Sequence, residues 1–363
     1  MKICYYGEYY PNYARNLILL KGLIRNHQTV VECNYPFPKL STNIIYTIYK
    51  NIKAQVKIFS MHSKISYDAI IVGYPLVKAI WSAKIIKKQP LIIDPFISSY
   101  NTKINDLKLY PKESIISSLL HLFDRTIFTS GKIVLADTKA HAKYYSSEFG
   151  IPIEKIKVIY VGADSDLYFP RKDIPHKQFI VGFYGNYIPL QGIEYIIDAA
   201  NVLKKYYPHI KFELIGGGNT KNEYFRRIIH KIYKMQLKNI RIIKKLNEYE
   251  LPYYIQKADI QLGIFGNSLK TKLVIPNKAY TALAMKKPLI TSETIAIKEL
   301  FKDKFNCLLC NRADPVSLAN KILKLYENEK LRIKIANNGF QTYLKNCTPQ
   351  ILAEKLLNEI KEI

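Results

Sequence analysis

Little in this 363-residue chain is suited to disulfide bonding: its five cysteines are odd in number and scattered, as expected of thiols kept reduced in a cytosol. Cys307 and Cys310 are spaced CxxC, but Asn306–Cys310 reads as a strand, whose residues three apart point to opposite faces. No second pair completes a zinc site, and no metal is expected. No run of ~18 apolar residues occurs, which excludes a spanning helix. The opening Met1-Lys2-Ile3-Cys4-Tyr5-Tyr6-Gly7 lacks a basic segment followed by an apolar stretch and a cleavage site, so no signal peptide is expected. There is no full GxGxxG fingerprint, and no Ser-His-Asp or paired-carboxylate arrangement of the kind that would point to a hydrolase. Acid is scarce as well: 29 Asp and Glu stand against 55 Lys and Arg, a formal charge of +26. The excess is spread evenly, with 24 cations to 12 acids in residues 1–172 and 31 to 17 in 173–363, which rules out a basic tail. Lysine-rich composition and a face attracted to anionic lipid explain it equally well. No recognition-helix, zinc-finger or RNP signature accompanies the charge, so nucleic acid is not an expected partner.

What is present is a folded α/β protein. The chain is 48% hydrophobic and 12% aromatic, and its length suits two domains of roughly 170 residues. Short β-branched runs alternate with amphipathic stretches, the pattern of parallel α/β layering. In the first half, strands are expected at Lys2–Tyr6, Thr29–Cys33, Ala69–Gly73, Leu91–Asp94, Ile133–Ala136 and Lys157–Tyr160. Helices are expected at Asn16–Asn26 and near 41–60, 76–88, 111–130 and 138–149. A proline- and charge-rich stretch, Phe169–Lys177, then reads as an interdomain linker. The alternation restarts at Phe179–Tyr184 and includes helices at 192–206, 222–236, 276–286, 294–301 and 315–328. These boundaries give domains at 1–170 and 178–345, with a last helix in 346–363 able to cross back to the first domain. In such folds ligands bind at the carboxyl ends of the strands.

Glycines and cations gather at those ends. Gly7 closes the first strand and leads to Arg15 at a helix start, where free N–H groups and a guanidinium suit a phosphate. Gly185-Asn186-Tyr187-Ile188-Pro189-Leu190-Gln191-Gly192 occupies the equivalent place in the second half. Gly216-Gly217-Gly218 and Gly263–Gly266 follow later strands. Pro276-Asn277-Lys278 opens a helix, and a lysine beside free N–H groups suits a diphosphate. Asp94 ends a strand and is a candidate cleft carboxylate. His141 is as well explained by structure as by chemistry.

Taken in order, these motifs resemble the retaining, GT-B-fold glycosyltransferases of family 4 over essentially the whole chain. The most specific pieces are Val158–Asp164 with Phe169-Pro170, the Gly185–Gly192 loop, and Ile275–Tyr280 with Ala282–Met285. The resemblance implies two Rossmann-like doubly wound domains facing across a cleft, the second holding a nucleotide sugar and the first the acceptor. It implies donor contacts from the loops at 185–192 and 216–218 and from the helix start at Pro276, so that the candidate donor residues are Gly185, Asn186, Gln191, Gly192, Gly217, Gly266, Asn277, Lys278 and Thr281, joined by Gly7 and Arg15 from the residue reading above. The candidate catalytic residues are Lys278, Asp94, for which a cap or turn role is the alternative, and Glu299, which matches a sugar-contacting acid of relatives but fits a helical salt bridge equally well. Departing diphosphate would be stabilised by cations and helix termini without metal or other cofactor. The implied reaction is transfer, with retention, from a UDP- or GDP-sugar to a lipid-linked or polysaccharide acceptor, in the cytoplasm at the inner membrane face. The departures lie at Asn186 and Gln191, where relatives carry Arg and Lys, and at Thr281 and Leu273, where they carry Glu. An amide gives a phosphate no net charge. Either Lys278, Lys272 or Arg15 supplies it, or the chain is a catalytically weakened GT-B subunit that binds a partner.

Overall fold

The computed structural model describes residues 1–34, 66–75 and 89–363, with helical positions 49, 52, 53, 56, 57 and 60 between them. Apart from those six positions, the helices expected near 41–60 and 76–88 lie outside the described residues. The chain divides into two compact units, Met1–Gly162 with Thr348–Ile363, and Ala163–Cys347.

The first unit holds a parallel sheet in the order β2-β1-β3-β4-β5-β6. Its strands are β1 (Lys2–Gly7), β2 (Thr29–Asn34), β3 (Ala69–Val72), β4 (Leu91–Ile93), β5 (Ile133–Ala136) and β6 (Ile156–Val158). Every residue of β3, β4 and β5 is buried, because a parallel sheet is covered on both faces and needs continuous apolar runs. Helices α1 (Ala14–Arg25), α2 (Ile115–Phe128) and α3 (Lys139–Phe149) connect the strands. Thr138 caps α3 by accepting the His141 N–H at 2.9 Å, and Gly150 closes it in the left-handed conformation. The C-terminal helix Pro349–Lys361 belongs to this unit and lies on α1. Asn26 Nδ2 donates to the Gln350 carbonyl at 2.9 Å, and a Cβ added to Gly22 would sit 2.0 Å from the Pro349 oxygen.

The second unit holds a parallel sheet in the order β12-β11-β10-β7-β8-β9. Here β7 is Phe179–Tyr184, β8 Ile210–Gly217, β9 Ile240–Lys244, β10 Ile260–Leu262, β11 Leu289–Ser292 and β12 Leu308–Cys310. Its core joins Val181, Phe183, Phe212 and Leu214 of the sheet to Ile196 and Ile197 of α4 (Ile193–Leu203), all fully buried. Further helices are α5 (Glu223–Lys234), α6 (Leu251–Lys257), α7 (Leu269–Leu273), α8 (Asn277–Ala284), α9 (Pro315–Glu327) and α10 (Glu329–Asn346). From β7 the chain winds one way through β8 and β9, and from β10 the other way through β11 and β12. The ligand crevice of a doubly wound sheet lies at that reversal, between the carboxyl ends of β7 and β10.

Three expectations change. The helix foreseen at 294–301 is a single 3-10 turn, Ile297–Glu299; β-branched Thr294, Ile295 and Ile297 are poor helix formers. The foreseen strand Lys157–Tyr160 is Ile156–Val158. The division between units falls at Gly162 and Ala163, ahead of the polar stretch at 169–177. That stretch is fixed to the second unit, because Asp173 accepts from Gln256 Nε2 at 3.1 Å and lies 3.5 Å from Lys287 Nζ. All five cysteines are buried free thiols.

Candidate active site

At the reversal of the second sheet, the loop after β7 and the loop after β10 meet backbone to backbone. A Cβ on Gly192 would lie 2.5 Å from Gly266 N, and one on Gly266 would lie 2.6 Å from the Pro189 and Leu190 oxygens. The space these glycines leave, expected for a donor, is therefore filled by the chain itself. Gly217 is similar, its vacant side packed 2.7 Å from Ile242 and 2.8 Å from Phe225. Gly216, at φ +114°, brings β8 so close to the first loop that a Cβ would sit 2.0 Å from the Gly185 oxygen.

Gly185 borders the chemistry more directly. Its vacant Cβ position is 2.9 Å from Lys278 Nζ and 3.4 Å from Gln191 Oε1. Lys278, the second residue of α8, is only 5% exposed. Its Nζ donates to Gln191 Oε1 and stands 3.7 Å from the centre of the Phe183 ring. Burial holds its pKa well below that of an ordinary lysine, and no carboxylate among the described residues offsets that burial. Asn277, the first residue of α8, is half-buried beside the helix N-terminus. One turn on, Thr281 shares a 2.5 Å hydrogen bond with the Tyr184 hydroxyl and donates to the Lys278 carbonyl at 3.1 Å. Glu299 is half-buried on its 3-10 turn.

Two cavities open at the carboxyl ends of β7, β8 and β9 in this unit. One of about 280 Å³ is lined by Tyr184, Gly185, Ile215, Leu246 and Leu251 and is mostly apolar. Its neighbour, of about 560 Å³, adds Gly217, Gly218 and Asn222. Both include Asn186, Gly216 and Lys245, and Lys244 lines the larger. Asn186, Lys244 and Lys245 are exposed. The two lysines escaped the sequence reading, although a Lys-Lys pair ending a strand next to a glycine-ended one was a usable signal.

The first unit treats its candidates differently. Gly7 is the buried last residue of β1. Arg15 and Asp94, expected at a phosphate and in an open cleft, are 1% and 0% exposed and form an ion pair at 2.8 Å. Arg15 Nη1 also donates to the carbonyls of Ile159 and Tyr160. The pair is a strut from α1 to the ends of β4 and β6, not a phosphate clamp and an exposed base. Burial raises the Asp94 pKa, and Arg15 partly offsets it. His141 Nδ1 faces Asp137 Oδ1, both buried, and the imidazole stacks on Tyr145 at 5.2 Å. Among the described residues no group of three or more His, Cys, Asp or Glu could hold a metal ion, and no helix is long and apolar enough to cross a membrane.

Comparison with known proteins bears on the fold. Residues 164–342 match the model of the glycosyl transferases group 1. An uncharacterized glycosyltransferase of Methanocaldococcus jannaschii is 25% identical over 189 residues, an alignment spanning 50% of this chain and 47% of that protein. Anabaena HepE in complex with UDP-glucose superposes with a TM-score of 0.73 over 100% of both chains at 17% identity. Sucrose-phosphate synthase from Thermosynechococcus elongatus superposes with a TM-score of 0.76 at 14% identity, over 99% of this chain and 98% of that one. The fold is therefore GT-B, and the stretch that matches the glycosyl transferases group 1 model lies within its second unit.

Proposed function

We propose that the protein is a retaining family 4 glycosyltransferase. It moves a hexosyl group from a UDP- or GDP-sugar to a lipid-linked or polysaccharide acceptor at the cytoplasmic membrane face. The observation that carries this reading is Lys278. It is a buried amine with no carboxylate partner among the described residues, seated at the start of α8 between Gly185 and Gln191, and burial disfavours its charged form. A diphosphate at that helix end meets free N–H groups and a cation whose charge it restores, since a nearby anion favours the protonated amine. Lys244 and Lys245 extend the positive edge into the adjoining cavity and take the place of the charge that Asn186 and Gln191 lack. Stabilising the departing diphosphate in this way needs no metal. The UDP-glucose held by the similarly folded Anabaena protein supports a uridine donor.

The second reading, a weakened subunit that binds rather than transfers, is favoured by Thr281, whose hydroxyl is engaged with Tyr184. Transfer itself separates the two. With UDP-glucose, and glycerol as surrogate acceptor, nuclear magnetic resonance should detect an α-configured glucoside that is lost in Lys278→Ala. A β-configured product would overturn retention. Turnover unchanged in the variant would overturn the role of Lys278, and donor binding without any turnover would establish the weakened subunit.

A further inference from the structure

A surface helix ordinarily turns its apolar stripe to the protein and its charge to water. Helix α2 buries Ile127 and Phe128 at its C-terminal end but departs from that pattern along the rest of its length. Its one acid, Asp124, is buried, accepting the Ser98 hydroxyl at 2.7 Å and the Tyr100 N–H at 2.8 Å. Ile115, Leu119 and Leu122, four and seven residues apart and so on one face, are 80%, 60% and 58% exposed. Leu107, Leu109 and Tyr110, in the segment that leads into the helix, are exposed as well. Scattered surface aliphatics are ordinary, whereas a run of them on one face marks an interaction surface.

The charges around this face select the partner. Between residues 103 and 132 the exposed cations are Lys103, Lys108, Lys112, Arg125 and Lys132, and the one exposed carboxylate is Glu113. A second copy of the chain would bring the same cations and the same net charge of +26 against them, which disfavours self-association through this face. An anionic leaflet complements both features at once, since it accepts aliphatic side chains without matched shape and pairs lysines with phosphates. We propose that the outward face of α2, with the Leu107–Tyr110 segment, docks on an anionic lipid surface. The helix then lies in the plane of the headgroups with Ile115, Leu119 and Leu122 directed to the acyl boundary. Tyr110, apolar with a polar tip, suits the headgroup level. Each cation near an anionic surface strengthens binding roughly fivefold, an effect that salt weakens.

The proposal rests on the lipid-linked-acceptor reading for its purpose, but its test uses no donor. The full chain is sedimented with phosphatidylcholine vesicles, with and without phosphatidylglycerol, at low and high salt. It should bind the phosphatidylglycerol vesicles and release from them as salt rises. The triple variant Ile115→Ser, Leu119→Ser, Leu122→Ser should lose at least about tenfold in partitioning at unchanged melting temperature, because those side chains are already in water. Lys108→Glu with Lys112→Glu should reduce the preference for phosphatidylglycerol. Wild-type protein left in the supernatant, or equal binding by the triple variant, would overturn the assignment. Self-association in sedimentation equilibrium that disappears in the triple variant would assign the face to a second copy and overturn it too. Donor binding measured on the same samples is independent, so either failure leaves the transfer reading to stand or fall alone.

Discussion

Arg15 and Lys278 are both buried basic side chains next to the carboxyl ends of sheet strands, and what separates them is a counter-ion. Arg15 has Asp94 at 2.8 Å and two carbonyls; Lys278 has an amide and a ring face. Breaking a buried ion pair leaves the other charge uncompensated, so Arg15→Met should lower unfolding free energy by about 3–5 kcal/mol, read by urea denaturation. A variant of wild-type stability would contradict the strut. Lys278 gives a pH signature. Its folded pKa is depressed, so the unfolded chain binds the extra proton between that value and the ordinary lysine pKa of about 10.4. Stability from this group therefore rises with pH across that window, by up to about 1.4 kcal/mol per pH unit, and is lost as pH falls. Denaturation of wild type and Lys278→Met between about pH 7 and pH 10 should show their difference shrinking as pH rises; a constant difference would contradict the neutral amine. Lys278 was legible in the sequence because a proline-led helix start marks where N–H groups are free. The burial of Arg15 was not, because its partner lies 79 positions away and only the assembled sheet brings them together.

At the level of elements, glycine positions were easier to read than their purpose. A glycine at a strand end predicts close approach, but not what approaches; at Gly192, Gly266 and Gly217 it is the chain's own backbone and side chains. Gly22 shows the same logic inside α1, where it admits the C-terminal helix. Gly22→Ala would place a methyl carbon 2.0 Å from the Pro349 oxygen and should cost about 1–3 kcal/mol by overpacking. The companion change Gly150→Ala meets nothing within 4 Å but sits at φ +65°, so it separates backbone strain from collision. Calorimetric melting of both variants would measure this, and an unshifted Gly22→Ala transition would contradict the close packing of the two helices. Helix and strand periods placed most elements within a few residues, since a parallel sheet with both faces covered writes unbroken apolar runs. The 3-10 turn at Ile297–Glu299 misled the reading because one turn of amphipathic pattern looks the same whether or not a helix continues. Helix α2 was recognised as a helix, but amphipathicity alone does not say which side faces out.

For the molecule as a whole, the even spread of charge noted in the sequence acquires local meaning in two places. In the second unit Lys244, Lys245 and Lys278 collect at one end of one sheet, the end where a doubly wound fold takes its ligand. In the first unit exposed cations surround an outward-facing apolar helix. The two-unit α/β fold was legible because the order of strands, helices and glycine loops is written in local pattern. The two lysines that line the cavity beside the glycine loop were not, because Lys244 and Lys245 reach it at the end of β9, far in sequence from that loop. The most direct test is titration calorimetry of the full chain with UDP and with UDP-glucose, without added metal, repeated on Lys278→Ala and Lys245→Ala. The account predicts saturable binding of both ligands, weakened about tenfold or more in each variant by loss of a charge-assisted contact. Absence of heat with these and with the corresponding guanosine nucleotides, or binding unchanged in both variants, would contradict it.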